Sequence, residues 1–396
     1  MERPEAFRII ESLRLGIPPD GAVRYLTVGR KEEIEDLRRR VQTGGAGLLY
    51  IKANYGSGKT HLLRLIREYG LEHGYAVSVV GLDATASVRF NRMDQIVGAV
   101  MRGLRVPGSV YTGVRGLFDL LCSEIQNSRA RGDADGLWYR LTNRWKWNES
   151  DVCESITMFV ALRAWATGLP ATQQLVEDWL FQPWSYYTQR RRIYQELIGD
   201  LGRYFHDGHQ ERYYYPDAFK LSVQAYDQSW KFLRDLRMLT AAAGLKGVII
   251  LFDEFENMLS GLKRSDYKSD AFWNLLQFGR QKQFPGLSVF AITPEFFQTL
   301  GRFIQEMSWS KLDYSEVGQF PTFEMQPLEV PQLQELAGRI RDTHALAFGW
   351  NPQQWIRDAA LRGIVQKSAA VPVQDRSRQT IKHVVSALDA AFEEVQ

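Results

Sequence analysis

Two stretches of the sequence combine residue types that bind and cleave phosphate chains. The first comprises residues 53–60, ANYGSGKT. Two glycines, Gly56 and Gly58, allow backbone N–H groups to approach phosphate oxygens closely. Lys59 supplies a positive charge for the β and γ phosphates, and the Thr60 hydroxyl is a suitable ligand for Mg²⁺. The pattern therefore predicts a site for a nucleoside triphosphate with its magnesium ion.

The second stretch is residues 247–254, GVIILFDE, in which an apolar run ends at two acids. Such a run predicts a strand that is buried on both faces of a parallel sheet. Asp253 is expected to bind the magnesium ion, and Glu254 to orient and deprotonate the attacking water. Neighbouring residues of a strand point to opposite faces, which suits two separate roles. Glu256 is expected to be either a solvated charge or a charge in the first turn of a helix.

A third candidate lies at the end of another predicted strand, residues 286–293, GLSVFAIT. A polar residue at the tip of the strand beside the acidic one can contact the γ-phosphate or the attacking water. Thr293 is therefore a candidate catalytic residue. Its hydroxyl could equally cap the helix that begins at Pro294.

The elements around the phosphate loop must place it at the start of a helix. Residues 48–51 predict a strand before the loop, and after Thr60 apolar residues recur at helical spacing, at positions 62, 65, 66 and 69. At a helix N-terminus the first backbone N–H groups lack partners and the dipole is positive, which favours a bound phosphate. Ala53 replaces the first glycine of the usual G-x-x-x-x-G-K-[ST] pattern, and we expect this small residue to be tolerated.

The remaining sequence predicts an α/β fold with a parallel sheet, interrupted by a large helical insertion. Lys59 and Asp253 are roughly 190 residues apart, whereas a βαβ unit needs only about 30. Periodicity predicts further strands at 23–28, 74–83 and 320–325, and helices at 6–15, 32–41, 93–104, 116–126, 155–166, 172–181, 189–205, 269–281, 296–307, 332–348 and 379–395. We interpret the chain as two halves of a nucleotide-binding domain, 1–105 and 217–325, with an insertion at 106–216 and a C-terminal helical lid at 326–396.

The composition indicates an ordinary soluble globular protein. Of its 396 residues, 45% are hydrophobic and 24% are charged. The longest apolar run is too short to span a membrane and the N-terminus is too polar for a signal peptide, so we expect a cytoplasmic protein without a membrane partner. The net charge of +3 neither requires nor excludes nucleic acid. The spacing of the two cysteines, and of His206 and His209, does not predict a metal site.

These motifs resemble those of AAA+ ATPases of the initiator-like branch and, more closely, the BrxD-type ATP-binding proteins of BREX phage-defence systems. The resemblance rests on residues 9–19, 27–30, 53–63, 251–256, 326–328 and 336–340. It covers the chain on both sides of the insertion but does not extend to residues 106–216. It implies an AAA+ P-loop ATPase that uses ATP and Mg²⁺, with residues 53–60 as Walker A and residues 253–254 in Walker B.

The resemblance also implies roles that the local patterns do not assign. In AAA+ proteins the segment before the phosphate loop lies beside the adenine and ribose. Thr293 would then occupy the sensor-1 position, and Arg378 the sensor-2 position of the lid, with Arg376 as the alternative. The nucleotide contacts implied in this way are Val28, Gly29, Arg30, Ala53, Asn54, Tyr55, Gly56, Ser57, Gly58, Lys59, Thr60, His61 and Arg378.

AAA+ proteins usually require an arginine finger from a neighbouring subunit, which implies a homo-oligomer. Arg302 is the candidate for this residue, with Arg280 and Lys311 as alternatives. The family context implies that the protein works beside a helicase or another protein of a defence island. The predicted function is therefore an ATPase that couples nucleotide state to oligomer assembly on DNA or on a partner. The alternative is a slowly hydrolysing, nucleotide-gated scaffold that recruits a helicase or another effector.

Two segments of the insertion place aromatic rings beside basic residues: residues 139–147, YRLTNRWKW, and residues 184–192, WSYYTQRRR. Rings that stack on bases and cations that hold phosphates are what a surface for single-stranded nucleic acid requires, so DNA is a candidate partner. Aromatic residues of amphipathic helices can equally pack against one another, with the arginines solvated, or form a surface that docks a protein.

Overall fold

The computed structural model describes residues 1–42, 47–82, 88–133, 136–137, 140, 152–166, 168–181, 226–259, 262–281, 283–306 and 314–395. These residues build an α/β structure around a mixed sheet of six strands. In chain order the strands are β1 (Gly47–Lys52), β2 (Tyr75–Gly81), β3 (Leu104–Arg105), β4 (Gly247–Asp253), β5 (Leu287–Ile292) and β6 (Thr322–Glu324). Across the sheet their order is β3-β2-β4-β5-β1-β6.

Helices cover both faces of this sheet and form a further group beside it. They are α1 (Arg3–Arg14), α2 (Lys31–Gln42), α3 (Lys59–Glu72), α4 (Met93–Gly103), α5 (Arg115–Arg131), α6 (Ile156–Trp165), α7 (Pro170–Phe181), α8 (Tyr226–Ala242), α9 (Ser265–Gly279), α10 (Glu295–Glu306), α11 (Val330–Phe348), α12 (Asp358–Ala369) and α13 (Arg376–Glu393). The predicted helices are confirmed, except the one at 189–205, which lies outside the described residues. Within the described ranges, no helix is long and apolar enough to cross a membrane.

The sheet is parallel except at one edge. β1 pairs in parallel with β5 and β6, and β4 pairs in parallel with β2 and β5. The prediction of a wholly parallel sheet is wrong for β3, which pairs antiparallel with β2. Helix α4 returns along the sheet after β2, and β3 continues from its last residue, Gly103, without a further reversal of the chain. The strand contains only two residues, so periodicity could not reveal it.

Alternating residues of the central strands belong to two separate cores, which is why these strands are apolar throughout. In β4, Ile250 and Phe252 pack with helices that include α4, α5, α8 and α9. Their neighbours Ile249 and Leu251 pack on the opposite face with α2 and α3. Phe252 stacks on Phe290 of β5, with ring centroids 4.5 Å apart and ring planes at 6°. A sheet buried on both faces holds the carboxyl ends of its strands in fixed positions.

Helices from the predicted insertion pack into the first of these cores. Phe118 of α5 and Trp165 of α6 lie 5.3 Å apart between ring centroids, in the same cluster as Ile250 of the sheet. Helices α5 and α7 contact α8 and α4, respectively. The described part of the insertion is therefore packed against the nucleotide-domain helices. The division of the chain into domains stays a prediction.

The N-terminal helix packs with the C-terminal helices. Ile9, Ile10 and Leu13 of α1 are buried in one cluster with residues of α11, α12 and α13. Arg14 at the end of α1 donates a hydrogen bond of 2.9 Å to Asp389 of α13. Helix α1 thus shares a core with the predicted lid, although the sequence interpretation placed it in the nucleotide-binding domain.

The segment after α1 was expected to be β-like over residues 23–28, and this prediction is wrong. Val23–Leu26 forms a 3₁₀ helix. Val23 packs in the core with α3, whereas Leu26 packs in the core with α1 and α11. The backbone N–H of Val23 donates to the Glu68 carboxylate at 2.9 Å, and the Thr27 hydroxyl donates to the Val23 carbonyl at 2.8 Å. These side-chain bonds replace the strand pairing that the apolar residues alone suggest.

Candidate functional site

The loop between β1 and α3 has the backbone that a phosphate loop requires. Gly56 has φ 74° and Gly58, which precedes the first turn of α3, has φ 95°. Both values lie in the left-handed region, where glycine is favoured. Ala53 does not have a positive φ, and its backbone N–H donates to the Ile292 carbonyl at 3.1 Å. Alanine is compatible with this conformation, which supports the expectation that the missing first glycine is tolerated.

Gly56 is also needed for space. A Cβ at this position would lie 2.0 Å from the carbonyl oxygen of Gln374. Gln374 belongs to the 3₁₀ turn Val373–Asp375, which leads directly into α13. The phosphate loop is therefore in direct backbone contact with the predicted lid.

The two motifs that the sequence separates meet at Thr60 and Asp253. The Thr60 hydroxyl donates to Asp253 Oδ2 at 2.8 Å, across 193 residues of sequence. The other carboxylate oxygen, Oδ1, accepts the backbone N–H of Glu254 at 3.0 Å. A hydroxyl and a carboxylate in contact suit Mg²⁺, which prefers oxygen ligands and retains several waters and substrate oxygens in its shell. The donor chemistry at this position therefore fits the predicted metal.

Lys59 is buried within the site, with its side chain 8% exposed. Its ammonium group donates to the Ala53 carbonyl at 3.1 Å and lies 4.9 Å from the centroid of the Tyr55 ring. The nearest carboxylate is that of Glu256, with 3.6 Å between Lys59 Nζ and Glu256 Oε1. The expected phosphate-binding cation thus lies between a carbonyl, an aromatic ring and an acid.

The two glutamates after β4 lie in different environments. Glu254 is exposed, has φ 53°, and accepts a hydrogen bond of 3.4 Å from the Asn257 side chain. Glu256 lies in the first turn of a helix, which confirms one of its two predicted positions, whereas the alternative of a solvated charge is wrong because its side chain is only 7% exposed. The left-handed residue turns the chain at the end of the strand, and the 3₁₀ helix Phe255–Leu259 directs Glu256 back towards Lys59. Burial raises the pKa of the Glu256 carboxyl, and the charge of Lys59 opposes this change.

Thr293 is buried at the end of β5, the strand between β1 and β4. Its hydroxyl donates to the carboxylate of Glu295 in the first turn of α10. This contact differs from the predicted cap, in which the hydroxyl accepts a backbone N–H, so the capping alternative stays a prediction. The backbone N–H of Glu295, the Thr293 hydroxyl and the charge of Lys59 together hold the pKa of the Glu295 carboxyl below its usual value. Sequence reasoning missed Glu295, although the signal was present: an acid in the first turn of a helix that follows a buried strand.

Acidic side chains surround the exposed ring of Tyr55. Desolvation raises the pKa of the Tyr55 hydroxyl, and the carboxylates of Glu256, Glu254 and Glu295 raise it further. Three acids from two strand ends are thus within electrostatic reach of the phosphate loop. The site combines one buried lysine with several anions, so bound phosphate charge must be balanced by a metal ion or by rearrangement of these acids.

The candidate base-binding segment also contacts the phosphate loop. Arg30 is buried and its guanidinium donates to the Ser57 carbonyl at 3.1 Å. The carbonyl of Gly29 accepts a hydrogen bond of 3.1 Å from Gln332 of α11, and Val28 is buried in the core shared with α1. The structure thus places residues 28–30 between the loop and the predicted lid.

His61 links this segment to the first turn of α3. Its Nε2 lies 2.8 Å from the Thr27 hydroxyl, which donates its own hydrogen to the Val23 carbonyl. A hydroxyl has a single hydrogen, so Nε2 of His61 must be the donor in this pair. Burial lowers the pKa of His61 to about 4, and the positive charges of Arg30 and Arg64 act in the same direction. His61 is therefore a neutral hydrogen-bond donor at pH 7.

The structure does not place the predicted arginines on the phosphate loop. Arg378 is exposed, and its guanidinium approaches Gly16, after α1. Arg376 donates to the Val371 carbonyl at 3.3 Å. Arg302 is exposed on α10, where its guanidinium donates to the Thr299 hydroxyl at 3.5 Å. Their roles as sensor 2 and finger stay predictions.

The basic and aromatic segments at 139–147 and 184–192 lie outside the described residues, apart from Arg140. The same is true of Lys311, His206 and His209. The predictions of a DNA-binding or protein-docking surface, and the prediction that the two histidines bind no zinc, therefore stay predictions.

A protein-family model described as BREX system ATP-binding protein BrxC/D matches residues 1–136 and 219–395. The matched residues include the phosphate loop, the acidic end of β4 and all of the C-terminal helices. A search of curated proteins and a search of solved structures gave no match.

Proposed function

Because the chain belongs to the family of BREX system ATP-binding proteins BrxC/D, we propose that it is an AAA+ ATPase that binds and hydrolyses MgATP in phage defence. The observation that carries this proposal is the hydrogen bond of 2.8 Å between Thr60 and Asp253, beside the buried Lys59. A phosphate loop at a helix N-terminus, a metal-binding hydroxyl and a metal-binding acid are the minimum that phosphoryl transfer needs.

Different residues would bind different parts of the nucleotide. The loop and the first N–H groups of α3 would hold the phosphates together with Lys59, while residues 28–30 and His61 would lie towards the base and ribose. Thr60 and Asp253 would hold Mg²⁺, which supplies positive charge to neutralise the phosphates. Glu254 would orient and deprotonate the water, and Thr293 would contact the phosphate or that water.

We further propose that nucleotide state controls assembly on DNA or on a partner protein. The close approach of Gly56 to the Gln374 carbonyl supports this coupling, because a movement of the loop towards that carbonyl would displace the turn that leads into α13. Arg302 is exposed on α10, as a residue that acts on the nucleotide of a neighbouring copy must be. A homo-oligomer and a cytoplasmic location follow from this proposal.

One observation favours the alternative of a slowly hydrolysing switch that recruits a helicase or another effector. The proposed general base, Glu254, is exposed and bonded to Asn257, whereas the acid beside Lys59 is Glu256. If Glu254 must leave its bond with Asn257 before it can hold the attacking water, turnover would be slow.

The test is the ATPase rate of the wild type, Lys59→Ala and Lys246→Ala, with and without single- and double-stranded DNA at low and moderate salt. Lys246 is exposed at the opposite end of the sheet and serves as the matched control. We expect Lys59→Ala to lower turnover at least about 100-fold and Lys246→Ala to change it less than about twofold. Stimulation of the wild type by DNA would support assembly on DNA.

Slow turnover with tight ATP binding and no response to DNA would support the switch instead. Equal turnover in the wild type and Lys59→Ala would contradict the proposed site. Absence of both ATP binding and turnover in the wild type would contradict the proposed function itself.

A further inference from the structure

Lys59 and Glu256 form a buried ion pair at the centre of the proposed site. Their side chains are 8% and 7% exposed, and Lys59 Nζ lies 3.6 Å from Glu256 Oε1. An ion pair removed from water is screened little by solvent, so each charge depends on the other. A change at either residue must therefore affect its partner.

The carboxylate of Glu256 is poorly held by anything other than Lys59. Both of its oxygens are buried, and within the described ranges neither oxygen has a hydrogen-bond donor at normal distance. The Tyr55 hydroxyl and the backbone N–H of Glu256 itself make only weaker contacts with it. The neighbouring anion Asp253 disfavours its charge as well, and burial is the main reason why the pKa of Glu256 is raised. A buried carboxylate with only weak hydrogen bonds is costly, which makes the present position of Glu256 easy to give up.

Lys59 also has a contact that does not compete with phosphate. Its hydrogen bond of 3.1 Å to the Ala53 carbonyl fixes the ammonium group next to the loop. A phosphate oxygen bound to Lys59 would therefore arrive close to the Glu256 carboxylate. Two anions at one ammonium group repel each other unless one of them moves or is neutralised.

From these contacts we propose that Glu256 is an internal counter-ion of Lys59, which competes with the β and γ phosphates and so weakens the binding of nucleoside di- and triphosphates. The inference rests on the proposed nucleotide site and assigns Glu256 a role in setting its affinity. A nucleoside monophosphate does not extend to Lys59, so Glu256 has no competitor in that case. Glu256 thus sets how much the second and third phosphates of a nucleotide add to its binding affinity.

The test compares the dissociation constants of ATP, ADP and AMP for the wild type, Glu256→Gln and Glu324→Gln, by isothermal titration calorimetry in EDTA. Chelation of Mg²⁺ stops hydrolysis, so the measurement reports binding alone. Glutamine has nearly the shape of glutamate without its charge. We expect Glu256→Gln to tighten ATP and ADP at least about tenfold and to leave AMP unchanged within about twofold.

Glu324 provides the matched control, because it forms a second lysine–glutamate pair, with Lys52, at the ends of β6 and β1. This pair is more exposed, with side chains 28% and 56% accessible for Lys52 and Glu324. Glu324→Gln removes the same charge and should leave all three affinities unchanged. A second variant, Glu256→Asp, keeps the negative charge and should tighten ATP much less than Glu256→Gln. Circular dichroism would establish that each variant is folded.

ATP affinity that is unchanged or weaker in Glu256→Gln would overturn the inference while leaving the proposed function intact. The inference also fails if AMP tightens as much as ATP, because the effect would then not depend on Lys59. If the wild type binds none of the three nucleotides, in EDTA or with Mg²⁺, the proposed function fails and the inference fails with it.

Discussion

At the scale of single residues, the candidate site contains a neutral histidine, and its lysine is paired with a buried glutamate. The histidine, His61, supports the candidate base-binding segment as a neutral donor to Thr27. Its imidazole lies close to Arg30 and Arg64, so a proton added there would face two positive charges. Nε2 would still donate to Thr27 from a protonated ring, so the cost of protonation lies in burying the charge and in its repulsion from these arginines.

His61 should make the folded protein sensitive to mild acid. Its pKa is lowered to about 4 in the fold, against 6.5 in an unfolded chain. The unfolded state therefore binds a proton first, and the stabilisation present above pH 6.5 is lost as the pH falls towards 4. The full effect is at most roughly 3–4 kcal/mol. We expect urea unfolding to give a smaller free energy of unfolding at pH 5 than at pH 7.5.

The variant His61→Gln isolates this effect, because glutamine can donate to Thr27 but does not titrate between these pH values. Its loss of stability between pH 7.5 and pH 5 should be smaller than that of the wild type, while other titrating groups contribute equally to both. Equal losses in the two proteins would contradict the assigned pKa.

The sequence predicts Gly58, Lys59 and Thr60 as phosphate contacts because they form a contiguous motif, and the structure has this motif at the N-terminus of α3. The arrangement of the acids could not be predicted. The burial of Glu256 depends on the left-handed φ of Glu254 and on the 3₁₀ turn that follows. A positive φ at a glutamate is uncommon and has no signature in the spacing of residues.

At the scale of elements, the contact between the phosphate loop and the turn before α13 connects the site to the C-terminal helices. The contact is between the backbone of Gly56 in the loop and the backbone carbonyl of Gln374 in the turn, and it leaves no room for a side chain on the loop residue. Backbone atoms cannot change rotamer to avoid a clash. Any added atom must therefore displace the loop or the helix.

Gly56→Ala should consequently destabilise the protein. Alanine at φ 74° is strained, and its Cβ would lie 2.0 Å from the Gln374 carbonyl oxygen. We expect a loss of about 1–3 kcal/mol in the free energy of unfolding. Increased hydrogen exchange at the start of α13 would show that the strain is relieved there.

Gly338→Ala is the control for this substitution. Gly338 lies within α11, and a Cβ there meets no atom within 4 Å. Alanine has the higher helix propensity, so this variant should gain up to about 1 kcal/mol. A loss in Gly338→Ala equal to that in Gly56→Ala would refute the steric explanation.

Whether an element could be predicted from the sequence depended on how its residues are buried. Strands β4 and β5 were found because both faces are buried, which makes the whole run apolar. Residues 23–28 look similar in sequence, but Val23 and Leu26 enter different cores, and a 3₁₀ turn achieves this where a strand would not. Helix α12 was not predicted, because only Leu361, Val365 and Ser368 of its residues are buried and its apolar face is narrow.

At the scale of the whole molecule, α1 and the C-terminal helices form one structural unit. Ile10 is fully buried among them. We expect Ile10→Ala to cost about 2–5 kcal/mol, and the loss should appear first as faster hydrogen exchange in α11 and α13. The sheet core, in which Ile10 takes no part, should keep its protection.

Ile17→Ala is the corresponding control, because Ile17 is 45% exposed. It should change stability by less than about 0.5 kcal/mol. Faster exchange throughout the sheet in Ile10→Ala, with no difference between α11 and β4, would argue against α1 as part of the C-terminal unit.

The pairing of α1 with α11 also has a consequence for synthesis. Arg3 donates a hydrogen bond of 3.1 Å to the Ala347 carbonyl, 344 residues later in the chain. A ribosome that adds about 5–20 residues per second needs roughly 20 to 70 s to cover that distance. During this interval the apolar side of α1 has been made but its permanent partner has not. The nascent chain therefore carries an early helix that is available to chaperones, or to the helix of another nascent copy, for roughly 20 to 70 s.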